Sequence, residues 1–525
     1  MALAEEPRDL FAVAADRERH FRPQHVVPVS LADLAARLRG ARLEGDGTVE
    51  VTGISLDSRS VLPGDLYAAL PGAHVHGGDF IRAAIERGAR AVVTDTAGLR
   101  AAREAGAAAI IIDDVRRQLG VVSGIVYNTA QLQPQLFGVT GTNGKTTTTF
   151  MISSLLRALD VSIGTIGTIG ITVGEDYLPS TMTTPEAPQL HGLMARMAES
   201  GLGAAVMEVS SHSMVFQRTA GLEFAVAGFT NLSQDHLDLH GTMEAYFQAK
   251  KALFDPNHIA RAVIVIDDEW GERMAREVSV DHVTLSTDET RDGDWFVTDV
   301  VPQPIGYTFT LAHRDGRSLT TTVGLPGRFN VSNAALALVM IIEAGFDVDA
   351  VAAATASAAQ PLSQGVPGRM EIVNTSPTVY VDFAHNPGGL MRMLETVQTT
   401  NGRVILVFGA AGERDALKRA SMGEIAARFS DIAIITDDDP HTEDAAAIRQ
   451  QVLHGAQANL RDGREVLEIF PRADAIAAAI EMAAPDDVVV VAGRGHETVQ
   501  DIAGALIDID DREEVRKAVA HTVRL

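Results

Sequence analysis

Apolar and polar positions follow two different periods along this chain, and the two periods alternate. Short apolar runs at 204–207, 224–229 and 262–266 are followed by polar or acidic residues, which is typical of buried parallel strands. Between such runs, apolar residues recur at the spacing of one helix face, as at 422–429 and 473–483. Strands that alternate with helices in this way predict parallel sheets covered on both faces, so we predict an α/β fold.

The pattern divides the chain into a tail and three domains. Residues 1–25 are charged and aperiodic, which predicts a flexible N-terminal tail. We then predict a small α/β domain over 26–132, a central parallel-sheet domain over 133–364 and a doubly wound, Rossmann-like domain over 365–525.

Individual elements can be predicted from the same pattern. Ser30 is expected to cap a helix near 31–38, with Asp33 as the acid of a capping box. The other predicted strands are 49–54, 65–69, 91–94, 109–112, 379–382, 404–408, 432–436 and 488–492, and the other predicted helices are 80–87, 331–343, 389–396 and 445–454.

Composition narrows the function classes. A chain of 525 residues exceeds what one hydrophobic core holds, which agrees with several domains. The net charge of −25 argues against nucleic acid or an anionic membrane as a partner. The absence of cysteine excludes disulfides, thiolate metal sites and a cysteine nucleophile. No apolar run reaches membrane-spanning length and the N-terminus lacks a signal-peptide pattern, so we expect a cytoplasmic protein.

The most informative segment joins a predicted strand to a predicted helix. Glycines let backbone amides face an anion, the helix N-terminus adds positive potential, and a lysine adds a point charge. Val139 stands where the generic phosphate-loop pattern has a further glycine, so this is the shorter form of the motif. The segment predicts binding of a nucleoside triphosphate through Gly141, Thr142, Asn143, Gly144, Lys145, Thr146 and Thr147.

Two further segments carry groups that suit Mg²⁺. Glu208 follows a predicted strand, with Ser210 close behind, and carboxylate and hydroxyl oxygens are what Mg²⁺ prefers. A strand end followed by a helix cap would also explain this segment. Asp235 and His236 follow the next strand and suit a metal as well, although a single histidine is usually structural. Lys250 and its neighbour Lys251 read locally as an ordinary surface pair at a helix end.

In their order along the chain, these segments resemble the motifs of the Mur ligase family. The similarity runs from residue 56 to about residue 500, and the segments at 57–59, 183–185 and 493–497 are similar to its MurE branch. The matching segments are 56–59, 141–147, 183–185, 208–212, 231–240, 249–250, 327–333, 368–371, 382–385 and 493–497.

The resemblance implies an activity and a set of roles. Members of this branch use ATP and Mg²⁺, with two metal sites expected, to join a free amino acid to UDP-N-acetylmuramoyl-L-alanyl-D-glutamate through an acyl phosphate. The implied catalytic groups are Lys145, Glu208, His236 and Lys250, the last as an N6-carboxylysine, and the implied metal ligands are Thr146, Glu208, His236 and Lys250. The ATP site would be completed by Asn330 and Arg369. The UDP substrate would be held by Leu56, Ser58, Thr183, Thr184, Ser210 and Arg218. The amino acid would be held by Arg414, Asp438, Asp439, Pro440, His441, Gly493 and Glu497.

The chain departs from the family pattern at several positions. Val265, Phe216, Arg494 and Pro471 replace an asparagine, a glutamine, a lysine and an aspartate. Where relatives that add meso-diaminopimelate have Asp-Asn-Pro-Arg, this chain has Asp-Asp-Pro-His at 438–441. A terminal carboxylate favours a guanidinium partner, so the acidic loop favours L-lysine or another diamino acid over diaminopimelate.

Other functions stay open at this point. The same reaction with meso-diaminopimelate is one alternative, and a superfamily ligase such as a folylpolyglutamate synthetase is another. The acidic, metal-capable second site and the third domain argue against a phosphate-loop switch that acts through a partner. The intact Lys145, Glu208, His236 and Lys250 argue against a catalytically silent homologue. We expect small-molecule partners only, and a monomer.

Overall fold

The computed structural model describes residues 18–72, 74–131, 134–180, 182–398 and 401–522. Three separate sheets follow one another along the chain, with five, eleven and six strands. Helices lie between the strands of each, so the predicted α/β class and the order of the three sheets are confirmed. The domain boundaries at 132/133 and 364/365 stay predictions.

The N-terminal sheet is mostly parallel, in the order β2-β7-β6-β5-β4, with β2 antiparallel at one edge. Its parallel strands run as four neighbours, and a short antiparallel pair, β1 and β3, flanks them. The strands are β1 (Val29–Ser30), β2 (Arg42–Glu44), β3 (Glu50–Val51), β4 (Gly53–Ser55), β5 (Asp65–Ala69), β6 (Ala91–Thr94) and β7 (Ala108–Ile111), and the helices are α1 (Leu31–Ala36), α2 (Ile81–Glu86), α3 (Leu99–Glu104) and α4 (Val115–Val126).

The eleven-stranded sheet forms the centre of the molecule. Its order is β11-β10-β9-β12-β8-β13-β14-β15-β16-β17-β18, with seven parallel neighbours in the middle and antiparallel strands at both ends. The strands are β8 (Gln135–Thr140), β9 (Ile163–Gly167), β10 (Gly170–Val173), β11 (Asp176–Leu178), β12 (Ala204–Glu208), β13 (Phe224–Phe229), β14 (Ile259–Val265), β15 (His282–Ser286), β16 (Trp295–Pro302), β17 (Tyr307–His313) and β18 (Ser318–Val323).

Helices bury both faces of this sheet. One apolar cluster joins Leu155 and Leu336 from two helices that pack against each other, and the opposite cluster joins Leu193 and Phe247 from two others. The helices are α5 (Lys145–Ala158), α6 (Ala187–Glu199), α7 (Ser211–Val215), α8 (Leu237–His240), α9 (Met243–Lys251), α10 (Glu269–Glu277), α11 (Phe329–Glu343) and α12 (Val348–Thr355). Since parallel strands end at one edge, the loops after β8, β12 and β13 meet there.

The C-terminal sheet has the order β19-β20-β24-β21-β22-β23, parallel apart from its edge strand β19. A separate hairpin, β25–β26, follows it. The elements are β19 (Glu371–Thr375), β20 (Thr378–Asp382), α13 (Pro387–Thr396), β21 (Val404–Phe408), α14 (Lys418–Phe429), β22 (Ile432–Ile435), α15 (Ala445–Ala458), β23 (Glu465–Glu468), α16 (Arg472–Met482), β24 (Val488–Ala492), β25 (Val499–Ile502), β26 (Ala505–Asp508) and α17 (Asp511–Thr522).

Most predicted elements are confirmed to within a few residues. The Ser30 cap is present, because its hydroxyl accepts from the Asp33 amide and donates to the Asp33 carboxylate. The predicted tail is wrong for its last part: Phe21 is buried and Arg22 pairs with Asp65, which fastens this segment to the N-terminal sheet. Residues 1–17 lie outside the described residues.

Candidate active site

The phosphate loop turns sharply between β8 and α5. Gly141 and Gly144 adopt φ angles of +150° and +93°, which residues with a side chain rarely adopt. A Cβ on Gly141 would lie 1.8 Å from Thr230 Oγ1, and one on Gly144 would lie 2.5 Å from Asn333 Oδ1. Both positions therefore require glycine, and the backbone forms a close cradle at the N-terminus of α5.

Lys145 is the first residue of α5, and its side chain folds back over this cradle. Its ammonium donates to the carbonyl oxygens of Gly141 and Thr142, at 3.0 and 2.9 Å. Burial lowers the pKa of this lysine, although the charges of Glu208 and Asp235 oppose the shift. A phosphate group in the cradle would offer the ammonium an anionic partner in place of two neutral carbonyls.

Glu208 lies at the C-terminal end of β12, beside the phosphate loop. Its carboxylate accepts from the hydroxyls of Thr146 and Thr168, at 2.9 and 3.0 Å, and from the backbone amide of Thr168 at 2.8 Å. Only 1% of the residue is exposed. This arrangement brings a carboxylate and the hydroxyl after the loop lysine together, as expected from the two separate motifs.

The loop after β13 places His236 on the opposite side of the cradle. His236 has a φ of +54°, and its ring contacts His212 edge-on, with 4.9 Å between centroids. Burial lowers the pKa of His236 to about 3, against the opposing charge of Asp235, so the ring is neutral and has a lone pair for a ligand.

Lys250 lies directly behind the phosphate loop and is not a surface residue. Only 1% of it is exposed, and its ammonium donates to the Gly141 carbonyl at 2.7 Å and lies 4.5 Å from the Tyr246 ring centroid. Burial, together with the charge of Lys145, lowers its pKa well below the usual value. Its neighbour Lys251 instead pairs with Glu277 at 2.8 Å.

A polar cluster next to Glu208 gathers the residues expected to hold the UDP substrate. The Thr184 hydroxyl donates to the Glu208 carbonyl at 2.8 Å, and the Ser210 amide donates to Thr184 at 3.1 Å. Arg218 donates to the Thr184 carbonyl at 3.1 Å and to the Glu186 carboxylate at 2.9 Å. Thr183 lies at the same place, 3.2 Å from Thr168.

The C-terminal unit reaches across to the phosphate loop. Arg369 donates to the Thr146 hydroxyl at 3.3 Å and stacks over Phe383, and His496 contacts the Thr168 carbonyl at 3.2 Å. Asn386, which caps α13, lies 3.2 Å from the Asn143 side chain. The site is therefore built from two units, and Arg369 lies beside the phosphate loop.

An acidic pocket lies at the C-terminal ends of β22 and β24. Gly493 has a φ of +114°, and a Cβ there would lie 2.6 Å from Asp438 Oδ2. The guanidinium of Arg494 is fully buried and donates to Asp439 at 2.7 Å and to the Val499 carbonyl at 2.5 Å. Burial, with the charge of Asp438, raises the pKa of Glu497 to about 8. Asp439 is thus the closest partner of Arg494, which lies 3.8 Å from both Asp438 and Glu497, and all three acids line the cleft.

The loop at 438–441 completes this pocket. His441 follows Pro440 with a φ of +50°, and its ring lies 3.0 Å from the Asp501 carboxylate. Arg414 is exposed and also lines the pocket. The residues expected to bind the amino acid are therefore close together in space.

One cleft of about 1120 Å³ joins these parts. Most of the predicted site residues line it, including Asn330 and Glu497. Gly141, Thr184, Lys250 and Pro440 lie behind its wall, and Leu56 and Ser58 follow β4 in the N-terminal unit, away from it.

Several contacts in or beside the cleft were not predicted from the sequence. Asp235 is buried and accepts from Asn386 at 3.1 Å, and Lys418 lies 3.4 Å away. Glu186 holds Arg218 and also pairs with Arg116 of the N-terminal unit at 2.6 Å. The sequence marks Asn386 only as a helix cap, because Pro387 follows it and proline is common at the first position of a helix.

The four departures have different surroundings. Val265 ends β14 and lines the cleft, whereas Phe216 is a partly exposed residue under Arg218, 5.5 Å from ring centroid to guanidinium. Pro471 immediately precedes α16. A backbone N–H at this position would have no partner within the helix, so its absence in proline costs no helix hydrogen bond.

Among the described helices, none is long and apolar enough to cross a bilayer.

The sequence and the fold are similar to those of known proteins. Three family models match in order: "Mur ligase family, catalytic domain" over 50–133, "Mur ligase middle domain" over 139–341 and "Mur ligase, glutamate ligase domain" over 368–495. A solved structure of a UDP-N-acetylmuramoyl-L-alanyl-D-glutamate–2,6-diaminopimelate ligase has a TM-score of 0.65 and 32% identity, covering 95% of this chain and 100% of that one.

Two relatives illustrate the likeness along the sequence. The 2,6-diaminopimelate ligase of Streptomyces coelicolor is 42% identical over 505 residues, covering 95% of this chain and 98% of the relative. The UDP-N-acetylmuramyl-tripeptide synthetase of Leifsonia xyli is 42% identical over 503 residues, covering 95% and 97%. With identity of this level along nearly its whole length, the chain belongs to the Mur ligase family, as the order of its motifs predicts.

Proposed function

We propose that this protein is an ATP-dependent ligase that joins an amino acid to UDP-N-acetylmuramoyl-L-alanyl-D-glutamate. The observation that carries the proposal is the single cleft that runs from the phosphate loop past Glu208 to the acidic pocket at Asp438 and Glu497. Relatives named for this reaction cover 95% of the chain at 42% identity, which supports the choice of substrate.

The first step needs an activated carboxylate, because a carboxylate and an amine do not condense at neutral pH. The side-chain carboxylate of the substrate glutamate attacks the γ-phosphorus of ATP, the bond to the bridging oxygen breaks, and ADP leaves with that electron pair. An acyl phosphate results. Lys145 and the loop amides would neutralise the transferred group, with Arg369 approaching from the C-terminal unit, so charge and position supply the catalysis.

The second step forms the amide. The free amine attacks the acyl carbon, a tetrahedral intermediate forms, and phosphate leaves as the amine loses its proton. Arg414, which is exposed in the cleft, would bind the carboxylate of the incoming amino acid and orient the amine. Thr183, Thr184, Ser210 and Arg218 would hold the muramoyl dipeptide, and Leu56 and Ser58 the uridine end.

The residues at the loop fit Mg²⁺. The Thr146 hydroxyl and the Glu208 carboxylate lie 2.9 Å apart and present hard oxygen ligands. In the described part of the chain, no group of three or more His, Asp and Glu side chains is placed to hold a metal alone. The ion would therefore take its remaining oxygens from phosphate and water, and when bound it supplies positive charge at the transferred phosphoryl group.

Lys250 fits a role as a carbamate near a second Mg²⁺, beside His236. Carbamate formation needs a neutral amine, and burial of Lys250 lowers its pKa in that direction. The amine nitrogen would add to CO₂ and lose a proton, which converts a cation into an anion. This supports the modification because an ammonium behind the phosphate loop would repel the metal.

The amino acid we propose is L-lysine or another diamino acid. At the far end of the pocket Asp438 and Glu497 are hydrogen-bond acceptors, and the nearby guanidinium of Arg494 is held by Asp439 and a carbonyl. meso-Diaminopimelate is the second candidate, favoured by the names of the relatives. We also propose a monomer that acts in the cytoplasm on small molecules, without nucleic acid or membrane partners.

Release of phosphate tests the proposal. We expect release to require both UDP-N-acetylmuramoyl-L-alanyl-D-glutamate and an amino acid, with equal amounts of phosphate and tripeptide product. A folate substrate in place of the nucleotide dipeptide serves as the control for a folylpolyglutamate synthetase. Phosphate release that needs neither substrate, or that needs the folate, would exclude the proposed reaction.

A further inference from the structure

The hairpin β25–β26 is fastened to the loop that carries His441. The His441 amide donates to the Asp501 carbonyl at 3.1 Å, and the Ala503 amide donates to the His441 carbonyl at 2.7 Å. The Asp501 amide in turn donates to the Asp439 carboxylate at 2.9 Å. These bonds hold His441 in its left-handed backbone conformation, with a φ of +50°, which residues other than glycine rarely adopt.

The His441 ring is oriented by the same hairpin. Its Nδ1 lies 3.0 Å from Asp501 Oδ2, and the two side chains keep 28% and 30% of their surface exposed. Because His441 lines the cleft, the ring nitrogen left to a ligand is Nε2. A neutral imidazole carries one proton, so a proton held at Nδ1 by Asp501 leaves a lone pair at Nε2.

The groups around His441 also favour a side-chain amine over a carboxylate. Asp438 and Glu497 accept hydrogen bonds, and the Arg494 guanidinium lies 2.7 Å from Asp439 and 3.8 Å from both other acids. A side-chain amine would find acceptors at Asp438, Glu497 and His441 Nε2, whereas a carboxylate would face the negative charge of Asp438.

We propose that Asp501 is a positioning residue that fixes the His441 ring with Nε2 as an acceptor, and that the pair makes the pocket select an amino acid whose side chain ends in an amine. This rests on the proposed ligase function and names a device for its specificity. The hairpin β25–β26 would then serve to position His441, since its exposed Leu506 and Ile507 add nothing to the apolar core.

The first test compares L-lysine with meso-diaminopimelate as substrates of the wild type, Asp501→Ala, Asp501→Asn and Asp508→Ala. Asp508 is an exposed acid on the other strand of the same hairpin and is the matched control. We expect the wild type to prefer lysine at least about tenfold in kcat/KM, and Asp501→Ala to lose about tenfold for lysine through KM, at unchanged KM for ATP. Asp501→Asn keeps an oxygen acceptor for Nδ1 and should recover most of the loss.

Three results would overturn the inference: wild-type preference for diaminopimelate, no change in the lysine-to-diaminopimelate ratio for Asp501→Ala, or an equal loss in Asp508→Ala. The second test does not depend on turnover. Nitrogen NMR of the His441 ring at neutral pH should show the Nδ1–H tautomer in the wild type and its loss in Asp501→Ala. An Nε2–H tautomer or an imidazolium would contradict the inference, whereas failure of every variant to ligate any amino acid would contradict the proposed function.

Discussion

The ammonium of Lys418 lies 3.4 Å from the carboxylate of Asp235, and this pair joins α14 of the C-terminal unit to the loop after β13. Both side chains are nearly fully buried. Although burial alone would raise it, the hydrogen bond and charge of His385 and the charge of Lys418 hold the pKa of Asp235 well below its usual value. A buried carboxylate of the central unit is therefore satisfied by groups of the C-terminal unit.

We predict that Lys418→Met weakens closure of the C-terminal unit over the cleft. Removing one partner of a buried ion pair costs about 3–5 kcal/mol, and here that cost falls on the closed arrangement. Because about 1.4 kcal/mol is tenfold in a rate, kcat should fall at least about tenfold. Steady-state kinetics and small-angle scattering with both substrates measure this effect. Lys517→Met, at an exposed pair with Glu514, is the control, and a similar kcat in the two variants would refute the prediction.

Lys145→Ala is expected to abolish turnover. The transferred phosphoryl group would lose its nearest cation, and removing one such electrostatic contact typically lowers kcat by about a hundredfold to a thousandfold. Single-turnover phosphate release measures the chemical step, with the thermal unfolding midpoint as the control for folding. A folded variant with a near-normal rate would show that the phosphate loop is not catalytic.

Lys250→Ala should be nearly inactive and should regain part of its activity with a short carboxylic acid such as formate. The buried lysine lies against the phosphate loop, so its loss removes the group that would carry the carbamate. Kinetics with and without formate check this, together with ¹³CO₂ labelling of the wild type. Lys251→Ala, which loses only a surface pair with Glu277, should be unaffected. Full activity in Lys250→Ala would contradict the carbamate.

The phosphate loop could be predicted because all of its parts are contiguous in sequence: a buried strand, glycines, a lysine and an apolar helix face. The contact between Lys418 and Asp235 could not, because the two residues are 183 positions apart and meet only when two sheets pack together. The role of Asp439 needed the structure as well, since the sequence does not show that Arg494 already neutralises it.

The antiparallel edge of the central sheet was also missed. Strand β18 alternates between exposed and buried positions, but Thr320, Thr321 and Thr322 occupy both faces and hide the apolar period. The hairpin β25–β26 gives no signal of this kind because most of its residues are exposed. Patterns predict elements whose apolar residues recur clearly, whereas β18 reaches the core through Leu319 and Val323 alone and the hairpin is mostly exposed.

The pH dependence of kcat/KM for the amino acid should reflect the ionisation of Glu497. Burial and the charge of Asp438 raise its pKa to about 8, so at neutral pH the free enzyme holds this carboxyl mostly protonated. As the pH rises through about 8 the group ionises and pairs better with a substrate ammonium, so kcat/KM for the amino acid should rise over this window. Glu497→Gln should lose this step while keeping the rise that comes from the substrate amine. Identical profiles in the two enzymes would contradict the prediction.

Asp439 and Arg494 both depart from the family pattern, and their side chains meet in space. Their side chains lie 2.7 Å apart with the guanidinium fully buried, so each group compensates the other. Asp439→Asn removes the negative charge nearest to the buried Arg494 guanidinium. Arg494→Lys cannot hold both Asp439 and the Val499 carbonyl with the same geometry. Each single change should lower kcat/KM for the amino acid at least about tenfold.

The double variant should lose clearly less than the product of the two single losses. Groups in direct contact couple by about 0.5–3 kcal/mol, so the recovery should be about twofold or more. Arg403→Lys, at the separate pair with Asp487, is the matched control and should combine with Asp439→Asn additively. Additive losses for Asp439→Asn and Arg494→Lys would show that the two departures are independent, and that the paired acid does not belong to the architecture of the pocket.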